Sequence, residues 1–191
     1  MMTKRELRKV YREKRLLLDE GYREQLDSGL FDQLIRLDWS KCNYLHVFLS
    51  LPKYNEPDTS GFIHWIRHQH PHIKLVMSKT DLADGSMINY LWNEHTFIAQ
   101  NQWGLLEPVG GEIVSEELVD SVLVPLLVAD KKGNRIGYGK GFYDRFLAKC
   151  RDDVRPIGLS YFDLVEQIVD TEEWDFPLKY CVTPDKTYNF Y

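Results

Sequence analysis

Gly133, Gly137, Gly139 and Gly141 fall within nine residues, with Arg135 and Lys140 between them and Asp144 just beyond. The surrounding segment, VPLLVADKKGNRIGYGKGFYDRFLAKC at 124–150, runs from an apolar strand through a charged turn into this loop. It continues into an amphipathic helix. Glycine accepts positive φ and lets main-chain N–H groups come close to a ligand. Between a strand and a helix, such a loop aims those N–H groups and the helix N-terminus at an anion. Arg135 and Lys140 add positive charge, and Asp144 offers oxygen to a divalent metal. These are the parts needed to hold a nucleoside triphosphate. The loop is not of the GxxxxGK[ST] type, because Gly141 follows Lys140 and Asn134 stands at the first glycine position. On glycine spacing alone, a structural turn accounts for it equally well.

The elements around the loop narrow the choice. Between Lys4 and Arg15 seven basic residues meet only Glu6 and Glu13, a local balance of +5 in a chain of net charge −5. Leu7, Val10, Tyr11, Leu17 and Leu18 recur at helical spacing, and Lys4, Arg8 and Arg12 share the i, i+4, i+8 face. That face is either solvated or turned to a polyphosphate. A second amphipathic helix is expected over 22–37, with Leu26, Leu30, Leu34 and Leu37 on one side. Strands are expected at 44–51, 73–78, 87–92, 122–128 and 157–161, helices at 60–68 and 141–150, and a last strand around Val182. A turn is expected at 83–86. Alternating strands and helices predict an α/β fold with a largely parallel open sheet covered by helices on both faces. With 191 residues, 43% of them hydrophobic, and no repeat or linker, the chain reads as one domain over 1–191. In open α/β sheets ligands bind at the carboxyl ends of strands, which is where the glycine loop falls.

The string GNRIGYGKGFYDRFL at 133–147 resembles the signature of the 5-formyltetrahydrofolate cyclo-ligase (5,10-methenyltetrahydrofolate synthetase) family. The resemblance covers nearly the whole chain. KRELR at 4–8 is similar to the family's basic start, FLSL at 48–51 with Glu56 to its F-x-S stretch and glutamate, and QWGLLEP at 102–108 to its aromatic-Gly-x-x-Glu-Pro segment. WDFPLK at 174–179 resembles a stretch that usually has His at the position of Trp174 and an acid at that of Lys179.

The resemblance implies ATP binding by Lys4, Arg5, Arg8, Arg135, Ile136, Gly137, Tyr138, Gly139, Lys140, Gly141, Phe142 and Tyr143. It implies folate binding by Leu51, Glu56 and Trp103 together with the loop residues Tyr138 to Phe142. Mg²⁺ would sit on Asp144 and Asp175, and Lys140, Arg135 and Tyr143 would serve the chemistry. By residue type alone, a lone loop glutamate such as Glu56 is usually just solvated, and Trp103 suits packing beneath a loop at least as well as stacking on a pterin.

The implied reaction is the ATP-dependent closure of 5-formyltetrahydrofolate to the 5,10-methenyl compound. Phosphorylation of the formyl oxygen creates a leaving group, N10 attacks the carbon, and ADP and phosphate are released. Positioning and charge stabilisation dominate such chemistry. A sugar-phosphate isomerase or acyl-CoA transferase would need fewer cations, and a non-catalytic folate- or nucleotide-binding module stays open through Trp174 and Lys179. Cys42, Cys150 and Cys181 are far apart and form no CxxC pair, so reduced thiols and a cytoplasmic protein are expected. His64, His68, His70 and His72 lack a neighbouring acid or cysteine to complete a metal site, and a solvated surface is expected there. Net acidity argues against nucleic acid, the lack of a long apolar run against a membrane, and a monomer is expected.

Overall fold

The computed structural model describes residues 2–81, 84–102 and 104–190. Its helices are α1 (Lys4–Leu16), α2 (Glu20–Leu34), α3 (Ser60–Gln69) and α4 (Phe142–Leu147). The strands are β1 (Tyr44–His46), β2 (Lys74–Thr80), β3 (Met87–Leu91), β4 (Ile98–Gln100), β5 (Leu106–Pro108) and β6 (Ser121–Pro125). They continue with β7 (Val128–Ala129), β8 (Arg135–Ile136), β9 (Arg155–Leu159), β10 (Tyr180–Val182) and β11 (Thr187–Asn189). Seven strands form one sheet in the order β11-β10-β9-β6-β1-β2-β3. β1 lies parallel to β2 and β6, and β9 parallel to β6 and β10. The two edge strands, β3 and β11, run antiparallel to their neighbours. The expected α/β fold is therefore present, mostly parallel with antiparallel margins.

Alternation along the strands sorts side chains to two faces. Leu45, Leu75, Leu123, Ile157 and Val182 face one way and pack with Leu30 and Leu34 of α2 and Phe62, Ile63 and Ile66 of α3. Val122, Val124 and Cys181 face the other way, against Phe146 and Leu147 of α4. Each fully buried leucine of this kind contributes about 1.5–3 kcal/mol. The leucine repeat of α2 thus reads correctly, although the helix ends at Leu34 and Leu37 lies beyond it.

The expected strand over 122–128 is broken. Pro125 has no N–H for the sheet, and the Leu127 N–H turns to the Ile136 carbonyl at 2.7 Å. Val128 and Ala129 then pair with β8 in a small separate ribbon. Asp130, fully buried, ties this ribbon together: its carboxylate accepts from the backbone N–H groups of Lys132, Asn134 and Ile168 and from the Asn134 amide, at 2.9–3.0 Å. The strand expected over 44–51 ends at His46, with one further bond from the Val47 N–H to the Val76 carbonyl at 2.9 Å, and α4 stops at Leu147 rather than at 150. Neither the β4–β5 hairpin nor the β10–β11 hairpin is legible as a periodic pattern, their strands being only three residues each. In the expected turn at 83–86, Ala83 lies outside the described residues. The backbone there adopts φ +73° at Gly85.

Candidate active site

Chain direction across the sheet reverses between β1 and β6: β1 leads to β2 and β3 on one side, β6 to β9, β10 and β11 on the other. A crevice forms outside the carboxyl ends of the strands at such a switch point. Here it is a cleft of about 1210 Å³, lined by His46 to Leu49 beyond β1, Pro125 ending β6, and the loop before α4.

The glycine loop forms one wall. Gly139 and Gly141 have φ of +84° and +67°, conformations that side chains with a Cβ rarely adopt. Gly139 also lies beneath Arg8, whose Cζ would be 3.1 Å from an added Cβ. Arg8 Nε donates to the Gly137 carbonyl at 3.0 Å, so α1 is anchored on the loop. The side chain of Thr3 caps α1 and exchanges hydrogen bonds with Glu6, which fixes the first turn where Lys4 begins. Lys4 pairs with Asp175, and the Asp175 Oδ2 also accepts from the Glu172 N–H at 2.7 Å.

Arg135 is deeply placed, with its side chain 7% exposed. Its guanidinium donates to Asp144 Oδ1 at 2.7 Å and to the Phe176 carbonyl, while the Phe176 N–H donates to the same Asp144 oxygen at 3.1 Å. Arg135 thus enters the cleft as half of an ion pair rather than as a free cation. Lys140 differs. It is exposed on the cleft wall and makes no ion pair among the described residues. Its carbonyl accepts from Arg145 at 2.9 Å, and Arg145 donates also to the Gly85 carbonyl at 3.0 Å, which holds the loop's shape. Burial pushes the Tyr143 hydroxyl well above the usual phenol range, so it stays neutral and can give a hydrogen bond.

A buried carboxylate lines the same cleft. Glu56 is 6% exposed; its Oε2 accepts from the Leu51 N–H at 2.8 Å and its Oε1 from the Tyr138 hydroxyl. Burial raises its carboxyl above the ordinary range, and the hydrogen bonds from Tyr138 and Leu51 with the charge of Arg15 work against that rise. Leu51, Phe142 and Tyr138 line the same cleft, as do Leu105 to Glu107; Trp103 lies outside the described residues.

Two expected site residues fall elsewhere or act differently. Arg5 is exposed and outside the cleft lining, one helical step off the face carrying Lys4 and Arg8. Ile136 is 1% exposed and packs with Leu7, Leu127 and Val128, a core role that its position on β8 dictates. Lys179 stands outside the lining, at the entry to β10, whereas Trp174 is 71% exposed on the rim of the cleft. The histidines 64, 68 and 72 are exposed. Sequence reasoning missed Arg15, His46 and Asp130. Arg15 counts in a sequence as one more cation of a basic helix, and nothing local marks it as buried.

For Mg²⁺ the donor set fits. The named partners fall on Oδ1 of Asp144 and on Oδ2 of Asp175, which leaves the other oxygen of each carboxylate. This ion is commonly bound by one or two carboxylates with substrate phosphates and water. Among the described residues no group of three or more His, Cys, Asp or Glu forms a closed protein cage.

A sequence profile described as the 5-formyltetrahydrofolate cyclo-ligase family matches residues 1–184. The Haemophilus influenzae 5-formyltetrahydrofolate cyclo-ligase is 42% identical over 87 residues, 44% of this chain, and that match spans 46% of the relative, less than half its length. The Mycolicibacterium smegmatis protein of the same name is 26% identical over 96% of this chain and 95% of its own. The Aquifex aeolicus 5,10-methenyltetrahydrofolate synthetase structure superposes with a TM-score of 0.83 at 27% identity, covering 99% of this chain and 93% of that one. With the signature loop, the basic helix and the buried glutamate gathered around one cleft, the chain belongs to the 5-formyltetrahydrofolate cyclo-ligase family.

Proposed function

We propose that this protein closes 5-formyltetrahydrofolate to 5,10-methenyltetrahydrofolate at the expense of ATP. One observation carries the reading. One cleft is lined by the glycine loop and the cations Lys4, Arg8 and Lys140 together with apolar side chains and the buried carboxylate of Glu56. At about 1210 Å³ it exceeds the roughly 300–1,000 Å³ typical of a site for one small molecule, which supports two substrates side by side.

The N5-formyl group is an amide, and its oxygen leaves poorly. Transfer of the γ-phosphoryl to that oxygen breaks the bond to ADP and makes a phosphate ester that can depart. N10 then bonds to the carbon, inorganic phosphate leaves with the former formyl oxygen, and the N10 proton passes to solvent. Lys140 stabilises charge on the transferring phosphoryl, and Arg8 and Lys4 approach from α1. The N–H groups of residues 137–141 orient the phosphates. Arg135 holds Asp144 in place, and Glu56 receives the N–H donors of the folate's pterin ring. Mg²⁺ held by Asp144 and Asp175 would supply neutralisation of phosphate charge.

The test is a turnover assay followed by near-ultraviolet absorbance, since the methenyl product has extended conjugation that the substrate lacks. Product is expected only with ATP and Mg²⁺ together. ADP release without folate conversion, or conversion without ATP, would sink the reading.

A further inference from the structure

Arg15, on the last turn of α1, is 2% exposed. A buried guanidinium is costly unless compensated. No carboxylate among the described residues pairs with it directly; it donates to the Leu126 carbonyl at 3.1 Å and to the Tyr138 hydroxyl. Tyr138 in turn donates to Glu56. The direction of this chain is forced. Arginine only donates, so the phenol must accept from Arg15 and spend its single proton on Glu56 Oε1. The Leu51 N–H likewise donates to Oε2. Both oxygens of Glu56 therefore accept from the protein, which suits a carboxylate, whereas a carboxylic acid would have to turn its O–H away from both donors and accept more weakly through the protonated oxygen.

We propose that Arg15 is a positioning residue for folate: it acts through the Tyr138 hydroxyl to hold Glu56 as an oriented anion facing the cleft. Arg15 itself is not part of the cleft lining, whereas Tyr138 and Glu56 are. The loop that carries Glu56 is fastened to the same end of α1, because the Asn55 amide donates to the Arg15 carbonyl at 3.0 Å. Among the described residues each Glu56 oxygen accepts one side-chain or backbone bond, and a carboxylate has about four acceptor positions. Two are left for a ligand presenting adjacent N–H groups on a flat ring, the chemistry of an aminopyrimidine edge. The groups facing Glu56 are Arg15 from α1, Tyr138 from the glycine loop, Tyr143 from α4, and the Tyr161 hydroxyl at the Glu56 carbonyl, 3.3 Å away. Of these only Arg15 carries positive charge at neutral pH. Its removal leaves burial to favour the protonated acid, which turns an acceptor position into a donor and meets a ligand's N–H groups less well.

The inference rests on the reading that Glu56 binds folate, and the experiment separates the two. Steady-state kinetics across pH would compare the wild type with Arg15→Met, Arg15→Lys, Tyr138→Phe, Glu56→Gln and the Arg15→Met/Glu56→Gln double variant, with circular dichroism to confirm folding. Arg15→Met is expected to raise the KM for 5-formyltetrahydrofolate by about ten- to a hundredfold, the scale of a lost charge-assisted contact. The acid limb of kcat/KM, which reports groups of the free enzyme, should move to higher pH, with the KM for ATP little changed. Arg15→Lys should restore most of the loss. In the Glu56→Gln background Arg15→Met should add nothing, because residues acting through one another are not additive. If Arg15→Met does not fold, Tyr138→Phe tests the same link and should move the acid limb the same way. An unmoved acid limb in both, with Glu56→Gln impaired, overturns the role of Arg15. Normal folate KM in Glu56→Gln overturns instead the assignment of Glu56 to folate.

Discussion

Lys140 and Arg135 look alike in the sequence, two cations in one glycine loop, yet the fold gives them different work. Arg135 is neutralised by Asp144 at 2.7 Å, while Lys140 stands exposed on the cleft wall. The difference leads to a prediction about charge. Lys140→Met keeps most of the side chain's length and removes the ammonium. Turnover should fall about a hundred- to a thousandfold, the usual cost of one preorganised group that stabilises developing charge, with a smaller effect on folate KM. Gly139→Val should fail otherwise: its Cβ meets Arg8 at 3.1 Å and the backbone has φ +84°, so nucleotide affinity itself should be lost. Rates and ATP affinities for both variants decide this, and near-normal turnover in Lys140→Met would show that the lysine is only a surface cation. At this scale the signature was legible because glycine and charge are local properties. The partner of each charge was not.

Three strands of the sheet are joined by a polar chain that no periodicity announces. His46 of β1, 1% exposed, meets Ser78 of β2 through Nε2 at 2.7 Å, and Ser78 donates to Asn89 of β3 at 2.7 Å. Since the serine proton goes to Asn89, Nε2 must carry the histidine's proton, and Nδ1 is buried with no partner among the described residues. Burial lowers the His46 pKa from 6.5 to about 3. Above pH 6.5 the ring is neutral in folded and unfolded chains alike. Between 6.5 and about 3 only the unfolded chain takes up the proton, so stability falls as pH falls through that window. One proton corresponds to a slope of about 1.4 kcal/mol per pH unit. His46→Gln cannot titrate, and its urea-unfolding free energy should therefore show a shallower decline from pH 6.5 to 4 than the wild type. Parallel slopes would mean that His46 is charged in the native state. The strand itself was expected from its apolar run, but a histidine facing α4 inside it, 4.8 Å from the Phe146 ring, was not.

Across the whole molecule, the reading of 1–191 as one domain predicts a single unfolding transition, coincident by circular dichroism and tryptophan fluorescence. ATP with Mg²⁺ at about a hundred times its dissociation constant should stabilise the chain by about 2.7 kcal/mol. For a chain of this size that is a rise in Tm of roughly 5–11 °C, shrinking when a chelator removes the metal. Two separated transitions would defeat the one-domain reading, and an unmoved Tm the nucleotide site. No helix among the described residues is long and apolar enough to cross a membrane. What the sequence determined by itself is whatever depends on near neighbours. The alternation of strands and helices, the leucine face of α2, and the glycines of the loop before α4 all follow from periodicity and backbone freedom over a few residues. Only the tertiary structure decided which charges are spent and which are free, because those pairings join residues far apart in the chain. Tyr138 reaches Glu56 across 82 positions, Arg15 reaches Tyr138 across 123, and Lys4 reaches Asp175 across 171. Local spacing holds no record of such distances, and burial, which turns Arg15 from a surface cation into a support for Glu56, exists only once the sheet has closed over it.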